Sequence, residues 1–305
     1  MRFKQFILNE ADKAAVTDDG MAELMARLNR ECAPFLEMNS GALLRGIRRI
    51  GDDKFGQNLH EHPRNRTPVN SSDGFVQLFN AMAQVGVGTK NIRGHSIFAT
   101  GRARTAANYG DIQLIFPRGP TEFIWSPRIW DSFVHDATLY TSVDSKANAA
   151  LEKAGVQMSL AWVHPFFEYM DDAAAWLKAG DEADTRERLH VAHSKSARSS
   201  SAGRVEIPDS VKVFPILKAA LLATFNDYYS DTSLDKAVAS ENEILIYESD
   251  GYYAVPASTI VWQYYASHHG IALSKAQLEA KSGESEPIAY AYKWFIGRLR
   301  NSGAK

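Results

Sequence analysis

The sequence predicts an α+β protein, and three observations carry that reading. Apolar residues recur at helical spacing near both ends and through residues 145–230. Short β-branched and aromatic runs collect in two separate blocks, residues 43–125 and 243–255. Helices and strands are segregated instead of alternating, which argues against a doubly wound parallel sheet. The composition, 45% apolar and 23% charged over 305 residues, is that of an ordinary globular chain with enough length for a large core.

Residues 18–36 place Met21, Leu24, Met25, Leu28, Cys32 and Phe35 on one helical face, with Asp18 and Asp19 as caps. After the turn Asn39-Ser40-Gly41, Leu43-Leu44-Arg45-Gly46-Ile47-Arg48 reads as a short strand. Residues 51–72 are polar and rich in Pro, Asn, Arg and His, so a long surface loop is expected, of a length often tied to function. Phe75, Leu78, Phe79, Met82 and Val85 predict a second amphipathic helix, stopped by Gly86 and Gly88. Strands are expected at 96–100, 112–117 and 122–125, with a short helix from Arg104 to Tyr109.

The stretch 145–230 is read as helical, with Phe214, Leu217, Leu221, Leu222 and Phe225 forming an apolar stripe and residues 194–204 a basic linker. Two further strands, 243–247 and 252–255, are expected to pair as a hairpin through Ser249-Asp250-Gly251. A C-terminal helix carries Tyr290, Trp294, Phe295 and Leu299. The expected organisation is an N-terminal helical segment (1–39), a first core part (40–144), a helical insertion (145–232), a second core part (233–258) and a helical extension (259–305).

Net charge is −2, so no global basic field calls for nucleic acid as an obligate partner, although a local patch is compatible with it. A single cysteine, Cys32, cannot close an internal disulfide and fits a reducing compartment. No signal peptide and no apolar run long enough to span a bilayer is evident, so a cytoplasmic protein without a membrane partner is expected.

The strongest chemical signal is Ser240-Glu241-Asn242-Glu243-Ile244-Leu245-Ile246-Tyr247. On a strand, Glu241 and Glu243 would project side by side. Such a pair suits chemistry in which one carboxylate steadies a developing cation and the other handles a proton. The plain account is a strand that begins in a solvated acidic turn. Two other islands shift the balance. Arg45, followed by Gly46, can hold a phosphate bidentately while the glycine lets a ligand approach. Ser96 and Thr100 place hydroxyls on one strand face around Phe98.

Taken in order, Leu44-Arg45-Gly46, Phe98-Ala99-Thr100 and Glu241-Asn242-Glu243 resemble the ADP-ribosyltransferase family, in its arginine–serine–glutamate subclass. Ala106-Ala107-Asn108-Tyr109-Gly110 is similar to the short helix that follows the family's second element. The resemblance spans residues 40–255. It departs from the family in two ways: the usual Ser-Thr-Ser is Thr100-Gly101-Arg102, and about 90 residues of helix separate the middle strands from the glutamates. Arg64-Asn65-Arg66-Thr67-Pro68 and Trp125-Ser126-Pro127 are in turn similar to uncharacterised proteins of tailed phages, which would place the protein in the host cytoplasm.

The resemblance implies two small packed sheets enclosing a cleft, with NAD as co-substrate. It implies that Arg45 holds the phosphates, Thr100 braces the wall, and an aromatic, Tyr109 or Phe98, stacks on nicotinamide. Glu243 would bind the ribose and stabilise its oxocarbenium-like transition state, while Glu241 orients or deprotonates the acceptor. Glutamate at that place favours arginine on a host protein as acceptor, and residues 234–240 would form the loop that meets it. Transfer to DNA or RNA through Arg64, Arg66 and the 195–204 loop stays open. So does a virion or host-binding protein on a decayed transferase core.

The remaining signals read as structural. His60-Glu61-His62 lacks a third ligand, so no metal is assigned. Gly86-Val87-Gly88-Thr89-Lys90 lacks the spacing of a phosphate loop and is expected to end a helix. Cys32 is expected to be a buried thiol, and His268-His269 to lie solvated near a loop. Lys195, Arg198 and Arg204 read as a solvated basic cluster.

Overall fold

The computed structural model describes residues 18–38, 41–48, 59–63, 72–130, 135–158, 161–196 and 205–302. The first elements are α1 (Asp18–Glu31), α2 (Ala33–Met38), β1 (Leu44–Ile47), β2 (Leu59–His60), α3 (Asp73–Val87), α4 (Ile92–His95), β3 (Ile97–Thr100), α5 (Ala103–Ala107), β4 (Asp111–Pro117) and β5 (Glu122–Trp125). They are followed by the helices α6 (Asp136–Lys153), α7 (Val163–Glu168), α8 (Ala173–Ala179), α9 (Glu182–Ser196), α10 (Val213–Tyr228) and α11 (Leu234–Ala239). The last are β6 (Glu243–Glu248), β7 (Tyr252–Pro256), α12 (Ala257–His269), α13 (Lys275–Ser282) and α14 (Ser285–Ser302). The chain is α+β.

All seven described strands form one sheet in the order β2-β7-β4-β1-β3-β6-β5, with every neighbouring pair antiparallel. This corrects the expectation of two sheets. Leu44 pairs with Leu114 on one side and Thr100 on the other, so β1 joins both halves. The expected hairpin is also corrected, because β4, β1 and β3 stand between β6 and β7. The turn at Ser249-Asp250-Gly251 is real, but it is tied to the end of β4. Asp250 N donates to Arg118 O (3.0 Å) and Arg118 N to Gly251 O (2.9 Å). That turn hands β7 to β4 in the register from Gln113↔Pro256 to Pro117↔Tyr252.

Within the expected 51–72 loop, β2 pairs with β7, and His60 stacks on Tyr252 at 4.8 Å. Residues 51–58 and 64–71 of that stretch lie outside the described residues, as do 197–204 of the basic linker.

The residues group into two compact units along other boundaries than the sequence suggested: 1–63, 96–130 and 231–305 in one, 64–95 and 131–230 in the other. Shared burial explains why both ends of the chain join the sheet. Leu24, Leu28 and Phe35 from the N-terminal helices, and Tyr292, Phe295 and Leu299 from α14, enter one core with Leu44, Phe116, Ile244 and Ile246. Phe116 meets Phe35 edge-on at 6.2 Å and Tyr292 at the same distance. The 18–36 helix divides at Cys32, just before Pro34, which has no N–H to give. Cys32 is fully buried, and burial pushes its thiol up to about 12, as an inert structural cysteine requires. His268 and His269 end α12 and are exposed beside the loop that begins at Gly270, φ 65°, as the sequence indicated. No helix among the described residues is long and apolar enough to cross a membrane.

The second unit is helical, as the sequence indicated. Its α3 ends at Gly88 with φ 74°, so the Gly86–Lys90 stretch is a helix stop. Arg93 is buried there with its guanidinium carbon 5.3 Å and 5.5 Å from the Phe75 and Phe79 ring centres, a cation–π contact with both rings.

Asp144 on α6 is buried, accepts from Val163 N at 3.0 Å, and is pushed up to about 6 by burial. A carboxyl raised in the folded state binds its proton more tightly there than when unfolded. The stability it gives is therefore complete below the ordinary value of 3.8 and is lost as pH climbs to about 6. Urea unfolding of this chain beside Asp144→Asn should differ in slope between those pH values, by up to about 3 kcal/mol, and run parallel above them.

Candidate active site

The three strands that carry the sequence motifs are immediate neighbours. Thr100, last residue of β3, stands opposite Leu44 of β1 and opposite Glu243 of β6. Ile97 and Ala99 join the core with Ile244 and Ile246. Alternation turns Phe98 and Thr100 the other way, beside Leu245 and Glu243. The apolar pattern thus sets the register that puts a hydroxyl next to a carboxylate.

Glu241 and Glu243 do not project together as a strand pair would, which corrects the first reading of the octet. The strand begins only at Glu243, and Glu241 has φ 60° in the turn that closes α11. Its N–H donates to Val238 O at 3.1 Å. The Thr100 hydroxyl donates to Glu241 O at 2.9 Å and accepts from Arg102 N at 3.0 Å. One side chain therefore fixes both the glutamate turn and the loop after β3. Arg102 Nε lies 3.6 Å from Glu241 Oε2, with both side chains about half exposed (46% and 47%). Such an exposed pair adds little stability, so its interest is positional.

The turn is held from a further side. Asn242 Nδ2 donates to Ser126 O at 2.7 Å, and Glu243 N donates to Trp130 O at 3.1 Å. Ser126 is itself buried, and its Oγ accepts from Ile129 N at 2.9 Å. The Trp125-Ser126-Pro127 stretch noted in the sequence is thus the strut behind the glutamates. Residues 234–240, expected as a loop, form helix α11 instead, because Leu234, Ala237 and Val238 bury in the core.

Arg45 reaches β3 differently. β1 meets β3 through the single pair Leu44↔Thr100, and Leu44 buries in the core with Ile97 and Ala99, so that pair does not fix the face of Arg45. Its guanidinium is nevertheless tied across, with Nη1 donating to Phe98 O at 3.2 Å and the Tyr252 ring centre 5.9 Å from its carbon. Arg45 Nε is buried without a hydrogen-bond partner, and so is Oε1 of Gln113, the residue directly opposite on β4. Gln113 was not singled out from sequence. A polar side chain in a half-buried strand carries no motif.

Gly46 has another role than the expected ligand approach. A Cβ there would stand 1.9 Å from Ala106 O, so the space above it is filled by α5. Gly101 repeats the device, with Val238 O 1.9 Å from its would-be Cβ. Of the two candidate aromatics, Phe98 is half-buried and Tyr109 is exposed just after α5. His60 and His62 are engaged elsewhere, the latter through Nδ1 with Ser249 Oγ at 2.8 Å. Lys195 caps the Tyr169 ring, while Arg64, Arg66, Arg198 and Arg204 lie outside the described residues.

Thr100→Val keeps the shape and deletes the hydroxyl, so urea unfolding should show a loss of about 1 kcal/mol that Thr100→Ser largely avoids. Gly101→Ala should cost about 1–3 kcal/mol in the same assay by forcing Val238 aside. Compared with family models, with curated proteins and with solved structures, the chain finds no match in any of the three.

Proposed function

We propose that the protein is a mono-ADP-ribosyltransferase that moves ADP-ribose from NAD to a host macromolecule, with a protein arginine as the favoured acceptor. The observation that carries the reading is the adjacency of β1, β3 and β6. Segments remote in sequence put the strands that carry Arg45, Thr100 and Glu243 side by side, which supports the family reading. A second observation suits a polar ligand. Arg45 Nε and Gln113 Oε1 are buried polar atoms that the folded chain leaves unpartnered, and a polar ligand would give them hydrogen-bond partners.

Bound NAD would supply the ribosyl–nicotinamide bond that breaks. The remaining work falls to the chain. Arg45, with its Nε unused, offers charge-assisted hydrogen bonds to the pyrophosphate. Phe98 or Tyr109 offers an aromatic face to nicotinamide. Glu243 accepts from the ribose hydroxyls and stabilises the positive charge that develops on the sugar, an effect strongest in the transition state. Glu241, in the exposed turn, receives the acceptor's proton. Thr100 touches neither reactant in this scheme and acts as a positioning residue, because its hydroxyl is committed to Glu241 O and Arg102 N.

Incubation with labelled NAD and bacterial lysate tests the reading. Label that survives nuclease and is removed by protease supports a protein acceptor, and no release of nicotinamide under any condition refutes the transferase assignment. Glu243→Gln should lower nicotinamide release by about 10²–10³-fold with the fold intact by circular dichroism. Arg45→Ala should weaken NAD binding by calorimetry, and an unchanged affinity would contradict its role.

A further inference from the structure

The loop after β3 is held from two sides, and one of its supports comes from the far end of the chain. On one side Gly101 lies against Val238 O of α11, with no room for a Cβ. On the other, Ala103 N donates to Ser285 Oγ at 3.0 Å, across 182 residues of sequence. Ser285 is the first residue of α14, whose Ile288, Ala291, Tyr292 and Phe295 are buried in the core, so its hydroxyl stands on a fixed frame. The first N–H groups of a helix have no partner within it. A Ser, Thr, Asp or Asn at the cap position commonly answers one of them. The cap position of α5 is Arg102, whose side chain makes no such bond and stands 3.6 Å from Glu241 Oε2 instead. Ser285 thus supplies from α14 a hydrogen bond at the start of α5, where Arg102 supplies none.

The bonds continue beyond α5. Arg102 N donates to the Thr100 hydroxyl, and that hydroxyl donates to Glu241 O. One connected path therefore runs from α14 through the loop to the turn that carries Glu241. Glu243 and Arg45 have other ties, through Trp130 O and Phe98 O. We propose that Ser285 is a positioning residue for the acceptor side of the site. It sets where the Glu241 carboxylate stands for an incoming guanidinium, while the groups that hold and cleave NAD are placed independently of it. The inference rests on the transferase reading given above. In each turnover the bond between the ribose anomeric carbon and the nicotinamide nitrogen breaks, and nicotinamide leaves with the electron pair. The carbon then bonds either to a guanidinium nitrogen or to a water oxygen, and one proton is released in both cases. A displaced Glu241 loses the first outcome more than the second, because the guanidinium is the nucleophile that this carboxylate must orient and deprotonate.

The purified full chain is incubated with NAD and agmatine, a free guanidine, and ADP-ribosyl-agmatine and free ADP-ribose are measured in the same reaction. Both products come from the same folded molecules, so their ratio does not depend on how much of a variant is folded. Ser285→Ala should lower the ratio of transfer to hydrolysis about fivefold, the effect of losing one ordinary hydrogen bond. It should also raise KM for agmatine without a matching rise in KM for NAD. Ser285→Thr keeps the hydroxyl and should restore the ratio. An unchanged ratio in Ser285→Ala, or the same fall in Ser285→Thr, overturns the inference and leaves the transferase reading standing. Nicotinamide release with no ADP-ribosyl-agmatine from the unaltered protein also overturns it. No nicotinamide release with or without agmatine overturns both.

Discussion

The site depends on β3 being clamped between β1 and β6. Only four residues long, β3 is held in place by what its alternate side chains bury. Ile97 and Ala99 enter the core beside Ile246 and Ile244, which leaves Thr100 opposed to Glu243 on the far face. A slip of one residue would drive Thr100 and Glu243 into the core and expose the aliphatic set. The energetics of ordinary apolar burial thus set Thr100 opposite Glu243. The chemistry proposed there would owe its precision to packing that takes no part in it.

Around that clamp, the Glu241 turn is constrained from several directions. The Thr100 hydroxyl holds its carbonyl, Val238 O its amide, and the 126–130 segment the two residues that follow. A non-glycine residue at φ 60° is disfavoured by sterics, at a cost on the order of 1 kcal/mol or more. Ser233, at the other end of α11, has φ 57° as well. Strain of this kind persists where neighbouring contacts over-determine the backbone. Here those contacts converge on the carboxylate proposed to receive the acceptor.

Element type was legible wherever one segment decided its own state. The apolar stripes of α1, α3, α10 and α14, and the β-branched runs of β3, β4 and β6, announce themselves because their periodicity is local. What escaped reading was decided by remote partners. Leu59 and His60 look like loop, and become a strand only because β7 accepts them. Ser249-Asp250-Gly251 is a sound turn signal, yet β4 claims the strand that follows it. The i, i+2 rule applied to Glu241 and Glu243 presumed an extended backbone that begins one residue after Asn242. Gly46 was recognised as a place of close approach but assigned to the wrong visitor, since only the fold shows α5 lying over it. Arg102 was visible as a departure from the motif. Its pairing with Glu241 was not, because a turn and not a repeat brings them together.

The strand order has a consequence for how the protein is made. β6 and β7, which flank the β4-β1-β3 centre of the sheet and join the edge strands β5 and β2 to it, are synthesised after all the other described strands. As the chain leaves the ribosome, β3 and β4 must wait with their outer edges unpaired while the helices of residues 131–230 emerge and become able to collapse on their own. Sheets assembled from such distant pieces close slowly and expose sticky edges in the interval. The helical unit therefore has the opportunity to form first, and β6 and β7 would be among the last strands to find their places.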